Sequence, residues 1–138
     1  MKTNNFTIIN LLNVLNNYAN KRLPQKISFA ITKNLMSVEK EYKVYEEQLK
    51  KIIGAYNQYI EKDENGNMTM EANGIPKIND EMQKIHFSEE LSELLSIEVE
   101  FDLFTIDEDA FNYDDSDKYS SLTPAEIIQL QGILCNKE

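Results

Sequence analysis

The chain contains no tryptophan, one cysteine and one histidine among its 138 residues. With Cys135 as its only cysteine it cannot form an intrachain disulfide, which fits a reducing compartment. His86 has no second histidine to join it in a zinc site. No serine or cysteine lies in a recognisable nucleophile motif, and the sequence has no glycine-rich phosphate-binding loop. We therefore expect no enzymatic activity and no cofactor or metal.

Long apolar runs are also missing. No stretch approaches the ~18 apolar residues that a membrane span requires. Asparagines at positions 10, 13, 16 and 17 interrupt the apolar N-terminal segment, and no small-residue cleavage site follows it. We expect a cytoplasmic protein without a signal peptide, folded as a single elongated domain over residues 1–138.

Charge is divided unevenly along the chain. Residues 1–60 contain nine lysine or arginine and four aspartate or glutamate residues, whereas residues 61–138 contain five and twenty. The overall charge of −10 argues against direct binding of nucleic acid, which needs a dominant basic face. The split allows binding to a protein partner with a basic surface. The commoner explanation of such acidity is that it keeps a small protein soluble.

The clearest structural signal is a heptad pattern in the first half of the chain. Apolar residues recur in steps of three and four from residue 31 to residue 59, which predicts one long amphipathic helix over about residues 24–61. Four of these positions are tyrosines, whose hydroxyl groups suit an antiparallel helical hairpin better than a tight parallel coiled coil. If neighbouring helices cover Tyr42 and Tyr45, a monomer suffices; if they do not, we expect a homodimer.

Other patterns complete a mainly α-helical fold class. Two asparagine–glycine dipeptides predict a small β-hairpin or structured loop over residues 61–78. Alternation of apolar and acidic residues over about 97–106 predicts one short acidic strand. Thr123–Glu126 is a capping box, with proline at the first helical position. The remaining helices are predicted at about residues 6–20, 80–96 and 123–135.

The acidic stretch from Glu98 to Asp117 is the main functional candidate, with nine carboxylates and no basic residue. The simplest interpretation is a solvated strand face followed by a loop. As an alternative, carboxylates ~6.6 Å apart on one strand face resemble a row of nucleic-acid phosphates. Aromatic residues among the acids are typical of protein-binding patches, although they would equally pin the loop to the core. The candidate partner-binding residues are Glu98, Glu100, Asp102, Asp107, Glu108, Asp109, Phe111, Tyr113, Asp114 and Asp115.

Four segments in this order resemble a known family. They are LPQKISFAITKNLMSVEKEYKVYEEQLKKI, EKDENGN, SEELSELLSIEVEF and LTPAEI, which begin at residues 23, 61, 88 and 122. Together they resemble DUF1617, a family of small bacteriophage and prophage proteins of unknown function. The resemblance implies a helical fold and a phage or prophage origin, and it implies no catalytic residues.

The sequence therefore predicts a non-enzymatic phage accessory or assembly protein that binds another protein, in the cytoplasm of the host bacterium during infection or lysogeny. The alternative is an inhibitor of host defence, such as an anti-CRISPR protein or a nuclease inhibitor. Such an inhibitor would use its acidic surface to mimic nucleic acid. The partner would be a phage structural protein in the first case and a host defence protein in the second.

Overall fold

The computed structural model describes residues 2–71, 74–113 and 118–135. Within these residues the fold is mainly helical, with a two-stranded antiparallel sheet, which confirms the predicted fold class. The elements in chain order are β1 (Lys2–Asn4), α1 (Asn5–Asn16), α2 (Gln25–Ala55), a 3₁₀ helix (Asn57–Tyr59), α3 (Glu81–Ser96), β2 (Glu98–Glu100), a second 3₁₀ helix (Glu108–Phe111) and α4 (Pro124–Leu134).

The longest element, α2, has 31 residues and is therefore about 46 Å long. Its predicted apolar seam faces inward, since Ile31, Val38 and Tyr45 are buried and the other seam positions are half-buried. The Tyr45 ring contacts the half-buried Tyr42 ring with centroids 5.7 Å apart. Contacts within the chain thus cover Tyr42 and Tyr45, whereas the homodimer is predicted for the case in which both tyrosines are bare.

The predicted end of the long helix near residue 61 is wrong, because the α-helical ladder stops at Ala55. The Tyr56 backbone N–H is shared between the carbonyls of Ile52 and Ile53, at 3.3 and 3.2 Å. That bifurcated bond begins the tighter 3₁₀ turns that follow. Gly54 has low helix propensity, which weakens the last α-helical turn.

The first helix is held at both ends by asparagines. The Asn4 side chain accepts a hydrogen bond from the Thr7 backbone N–H at 2.9 Å. The helix ends at Asn16, not near residue 20 as predicted, because Asn17 and Tyr18 donate to carbonyls three residues back at 3.1 Å. Asparagine forms such local turns readily and propagates a helix poorly. α1 packs against α2 and makes the predicted helical hairpin.

Two apolar clusters stabilise the fold. The larger one joins α1, the first half of α2, residues 101–111 and α4, with Ile8, Ile27 and Leu130 fully buried. The smaller one lies at the far end of α2, where Phe87 of α3 packs on Tyr56 with ring centroids 5.6 Å apart. α3 therefore covers the second half of α2, as the sequence predicts.

Within residues 60–71 and 74–78, three extended segments pair in a ring. The backbone N–H of Glu61 donates to Lys77 at 2.9 Å, that of Lys77 to Thr69 at 2.8 Å, and that of Thr69 to Glu61 at 2.8 Å. Each segment thus pairs with both of the others, which goes beyond the simple hairpin predicted. Gly66 allows one of the tight turns, because its φ of 81° is rarely adopted by other residues.

The predicted strand at 97–106 is wrong in length, since β2 covers Glu98–Glu100 alone. β1 offers only three partners, from the Asn4–Glu98 pair to the Lys2–Glu100 pair. Beyond Phe101 the backbone bonds to a side chain instead of a strand. Asn34, 1% exposed on the inner side of α2, donates through Nδ2 to the Phe104 carbonyl at 2.9 Å and accepts from the Phe104 N–H at 2.7 Å.

The last helix is capped as predicted, although it spans 124–134 instead of 123–135. The Thr123 Oγ1 accepts from the Glu126 N–H at 3.2 Å, and the Glu126 carboxylate accepts from the Thr123 N–H at 2.9 Å. The hydrogen bond from the Thr123 N–H is the main cause that lowers the pKa of Glu126, and the positive charge of the nearby Lys21 lowers it further. The Ile106 N–H donates to the Leu134 carbonyl at 2.8 Å, which ties the segment after β2 to the end of α4.

The accessible surface of the protein is 9251 Å², whereas a compact protein of 16.0 kDa exposes about 7400 Å². The excess agrees with a long α2 whose outer side stays bare. Among the described residues, no helix has the length and apolar content that crossing a bilayer requires.

We expect Asn34→Leu to lower the free energy of unfolding by about 1–3 kcal/mol, because the part-buried Phe104 N–H and C=O lose the hydrogen bonds that the Asn34 side chain makes with them. Urea denaturation followed by circular dichroism would measure the change. Asn13→Leu, at an exposed position of α1, is the matched control and should change stability by about 0.5 kcal/mol or less. An Asn34→Leu protein as stable as wild type would show that this pair of hydrogen bonds does not hold the segment.

A second prediction concerns Tyr56, whose hydrogen bond to Glu90, aided by burial, raises its pKa from 10.0 to about 12. A raised folded-state pKa stabilises the fold below the unfolded pKa, and that stability disappears as pH rises through the folded one. The difference in unfolding free energy between wild type and Tyr56→Phe should therefore stay constant up to about pH 10 and shrink towards pH 12.

The Tyr56 measurement is a series of urea melts at increasing pH, with Tyr59→Phe as the control because it leaves the Glu90 hydrogen bond in place. A Tyr56→Phe difference that persists unchanged at the alkaline end would contradict the linkage.

Candidate functional site

The predicted acidic strand places three carboxylates on the outside of the protein. Glu98, Glu100 and Asp102 are exposed, while Val99 and Phe101 between them point inward. Glu98 and Glu100 follow the strand period, so that their side chains leave the same face ~6.6 Å apart. We call these three residues the acidic row. The structure thus confirms the predicted alternation, although the regular strand ends at Glu100.

Neighbouring segments fix the backbone of the acidic row from three sides. β1 pairs with β2 from Lys2 to Asn4, Phe101 is buried in the main core, and Asn34 holds Phe104 by two hydrogen bonds. In addition, the Asn5 side chain donates to the Leu94 carbonyl at 2.9 Å, just before β2. The carboxylates therefore project from a backbone held in place on both sides.

The row makes a weak ion pair with the neighbouring strand. Lys2 Nζ lies 3.5 Å from the Glu98 carboxylate, with both side chains more than half exposed. Exposed pairs of this kind contribute about 0–1 kcal/mol. The pair orients the Glu98 side chain.

The acids that follow have a different local role. Asp107 begins the second 3₁₀ helix, and its carboxylate accepts a hydrogen bond from the Asp109 N–H at 2.9 Å. Glu108 and Asp109 are exposed. The Asp107 carboxylate is thus engaged in capping a turn, and Glu108 and Asp109 add exposed negative charge to the segment that follows β2.

The aromatic candidates do not form an open patch. Phe111 is 8% exposed and belongs to the main core, so its assignment to a partner-binding surface is corrected: it pins the loop. Tyr113 is half-buried, with its ring against Tyr119 at a centroid distance of 5.6 Å. Asp114 and Asp115 lie outside the described residues.

The sequence analysis missed an apolar groove between the start of α2 and the segment after β2. The Phe29 and Phe104 rings meet edge to face with centroids 5.6 Å apart, and they line a groove of about 320 Å³ together with Ile106, Gln25 and Lys26. Phe29 is 56% exposed although it is large and apolar. The sequence signal for this groove was Phe29, an aromatic residue outside the heptad seam that lies three positions after Lys26 and four before Lys33.

The part of the chain that the structure describes contains no group of three or more His, Cys, Asp or Glu side chains able to hold a metal ion. Burial, followed by the charges of Glu108 and Asp107, raises the pKa of Cys135, which keeps the thiol protonated and weakly nucleophilic. The Asp63 carboxylate accepts hydrogen bonds from the backbone N–H groups of Asn65 and Asn67 and so caps a turn of its own loop.

Comparisons of the chain with models of known protein families, with curated proteins and with solved structures give no match. The resemblance to DUF1617 accordingly stays a prediction from the sequence.

The exposure of the acidic row leads to a prediction about stability. The triple variant Glu98→Gln, Glu100→Gln, Asp102→Asn should change the free energy of unfolding by about 1 kcal/mol or less, because exposed charges contribute little to folding. Urea denaturation at low and moderate salt would measure it. A loss above about 2 kcal/mol would mean that these carboxylates serve the fold.

Proposed function

We propose that this protein is a non-enzymatic accessory or assembly protein of a bacteriophage, and that it acts by binding another protein through its acidic row. The phage setting, and with it the host cytoplasm, is supported by the sequence resemblance alone. The mode of action is supported by the exposed carboxylates and by the coverage of the tyrosine seam, which leaves a monomer free to bind a different protein.

The observation that carries the proposal is the way the acidic row is held. Glu98, Glu100 and Asp102 are exposed and follow one another closely along the chain, so that their like charges repel one another. Their backbone is nevertheless fixed by three contacts: the two hydrogen bonds between buried Asn34 and Phe104, the burial of Phe101, and the pairing of β2 with β1. Because its backbone is already ordered, such a charged surface loses little conformational entropy when it binds a complementary surface. Its electrostatic field also raises the rate at which it meets the partner. The partner should therefore present lysine and arginine residues.

One observation favours a second candidate, an inhibitor of a host defence protein. The spacing of Glu98 and Glu100 on β2 resembles that of successive phosphates, and a nuclease or CRISPR complex binds its nucleic acid in a basic channel. In this version the acidic row would occupy that channel. The two candidates differ in one respect: nucleic acid competes for the partner only in the second.

The test is capture of partners from infected or lysogenic host cells with three immobilised proteins. These are the wild type, the triple variant Glu98→Gln, Glu100→Gln, Asp102→Asn, and a control, Glu81→Gln, Glu89→Gln, Glu93→Gln. The control removes the same charge from exposed positions of α3. We expect one specific partner to bind the wild type and the control, to bind the triple variant at least about tenfold more weakly, and to be released near 0.5 M salt.

Adding an excess of double-stranded DNA or RNA then separates the two candidates. A partner displaced by nucleic acid supports the inhibitor, and a partner that stays bound supports the assembly protein. Equal capture by the wild type and the triple variant would overturn binding through the acidic row in either form.

A further inference from the structure

The outer side of α2 carries charge of the opposite sign. Two neighbouring rows of side chains, each with a spacing of seven residues, run along the part of the helix that faces away from the core. All six side chains are exposed, and Met36 is 67% exposed. We call this surface the basic face: its first row is Lys26, Lys33 and Lys40, and its second row is Phe29, Met36 and Lys43.

The lysines of this face are available for a partner. None of the four forms a salt bridge to another residue within the described ranges, whereas Lys50 further along α2 pairs with Glu46 and Glu47. Lys33 Nζ lies over the Phe104 ring, 4.8 Å from its centroid. This cation–π contact holds the ammonium group above the aromatic pair but leaves its charge uncompensated.

The basic face ends in the groove formed by Phe29, Phe104 and Ile106. Its volume of about 320 Å³ matches one large side chain or a few small groups. Lys26 supplies the only charged group among the residues that line it. A binding element suited to both features therefore combines an apolar anchor with negative charges that follow it at a spacing of about 10.5 Å, the rise of seven helical residues.

We propose that the basic face of α2 docks an acidic amphipathic helix of a partner protein, with an apolar side chain of that helix in the Phe29–Phe104 groove. A helix with carboxylates every seven residues matches the Lys26–Lys33–Lys40 row in period, and Met36 between the lysines adds apolar contact. This site is independent of the proposed function, since it is formed by other residues than the acidic row and attracts charge of the opposite sign.

Two other occupants fit the charges less well. A second copy of the chain that met the face symmetrically would bring lysine rows against each other, and like charges disfavour that contact. Nucleic acid would be repelled by the overall charge of −10, and its phosphates would gain nothing from the apolar groove.

The test measures binding of a labelled helical peptide of about 15 residues, with glutamate at heptad spacing and one leucine or phenylalanine anchor, by fluorescence anisotropy. The reference peptides replace the glutamates by lysine or the anchor by serine. A single-stranded oligonucleotide is measured in parallel. We expect saturable binding of the acidic anchored peptide below about 1 mM, and at least about tenfold weaker binding of each reference peptide.

The protein variants identify the surface. The double variant Lys33→Glu, Lys40→Glu should bind the acidic peptide about tenfold or more weakly than the wild type does. The single variant Phe29→Ser should lose a similar amount of affinity. The control Lys51→Glu, Lys62→Glu changes the net charge equally at exposed positions beyond the face and should bind as wild type. Circular dichroism confirms folding of each variant. The acidic-row triple variant should keep peptide binding, so failure of the proposed function leaves this result unaffected.

Three results would overturn the inference. The first is an absence of saturable binding of the acidic peptide at about 1 mM. The second is an equal loss of peptide affinity in the Lys33/Lys40 variant and in its control. The third is a different occupant of the same lysines. That occupant would be seen as binding of the oligonucleotide alone, or as a dimer in light scattering that the Lys33/Lys40 variant abolishes.

Discussion

The pair of hydrogen bonds between the Asn34 side chain and the Phe104 backbone is the contact on which the surfaces of this protein depend. The segment after β2 leaves its strand partner within a few residues, and its N–H and C=O groups then need other partners because buried unpaired groups are costly. A single amide on the inner side of α2 supplies both a donor and an acceptor. The long helix thereby holds a stretch of irregular chain against itself.

Phe104 connects two surfaces of opposite charge. Its backbone is held by Asn34, two residues after the end of the acidic row, while its ring lies under Lys33 and beside Phe29 at the groove. Asn34 and Lys33 are neighbours in sequence but point to different sides of the helix, as the helical period requires. The charge split between the two halves of the sequence thus becomes a separation of a basic helix face from an acidic strand edge.

Patterns that depend on neighbours in sequence predicted much of the fold. The heptad seam of α2 and the Thr123–Glu126 capping box are both as expected, because these patterns join residues three to seven positions apart. The errors at the ends of α1 and α2 arise from local turns, whereas the errors in the strand and at Phe111 concern contacts between distant segments. Within the described residues, the pairing of β2 with β1 covers three residue pairs, fewer than the alternation suggests. Phe111 is buried because it packs into the main core, to which α1, α2 and α4 also contribute.

The sequence by itself determined the helices, their caps, the outward position of Glu98, Glu100 and Asp102, and the division of charge, since periodicity and composition record these directly. The tertiary structure decided that Asn34 is an internal clamp and not one more polar helix residue, and that Phe29, Phe104 and Ile106 meet in one groove. The physical reason is distance along the chain. Asn34 and Phe104 are far apart in the chain and form their two hydrogen bonds only in the folded arrangement. No local sequence pattern specifies that contact.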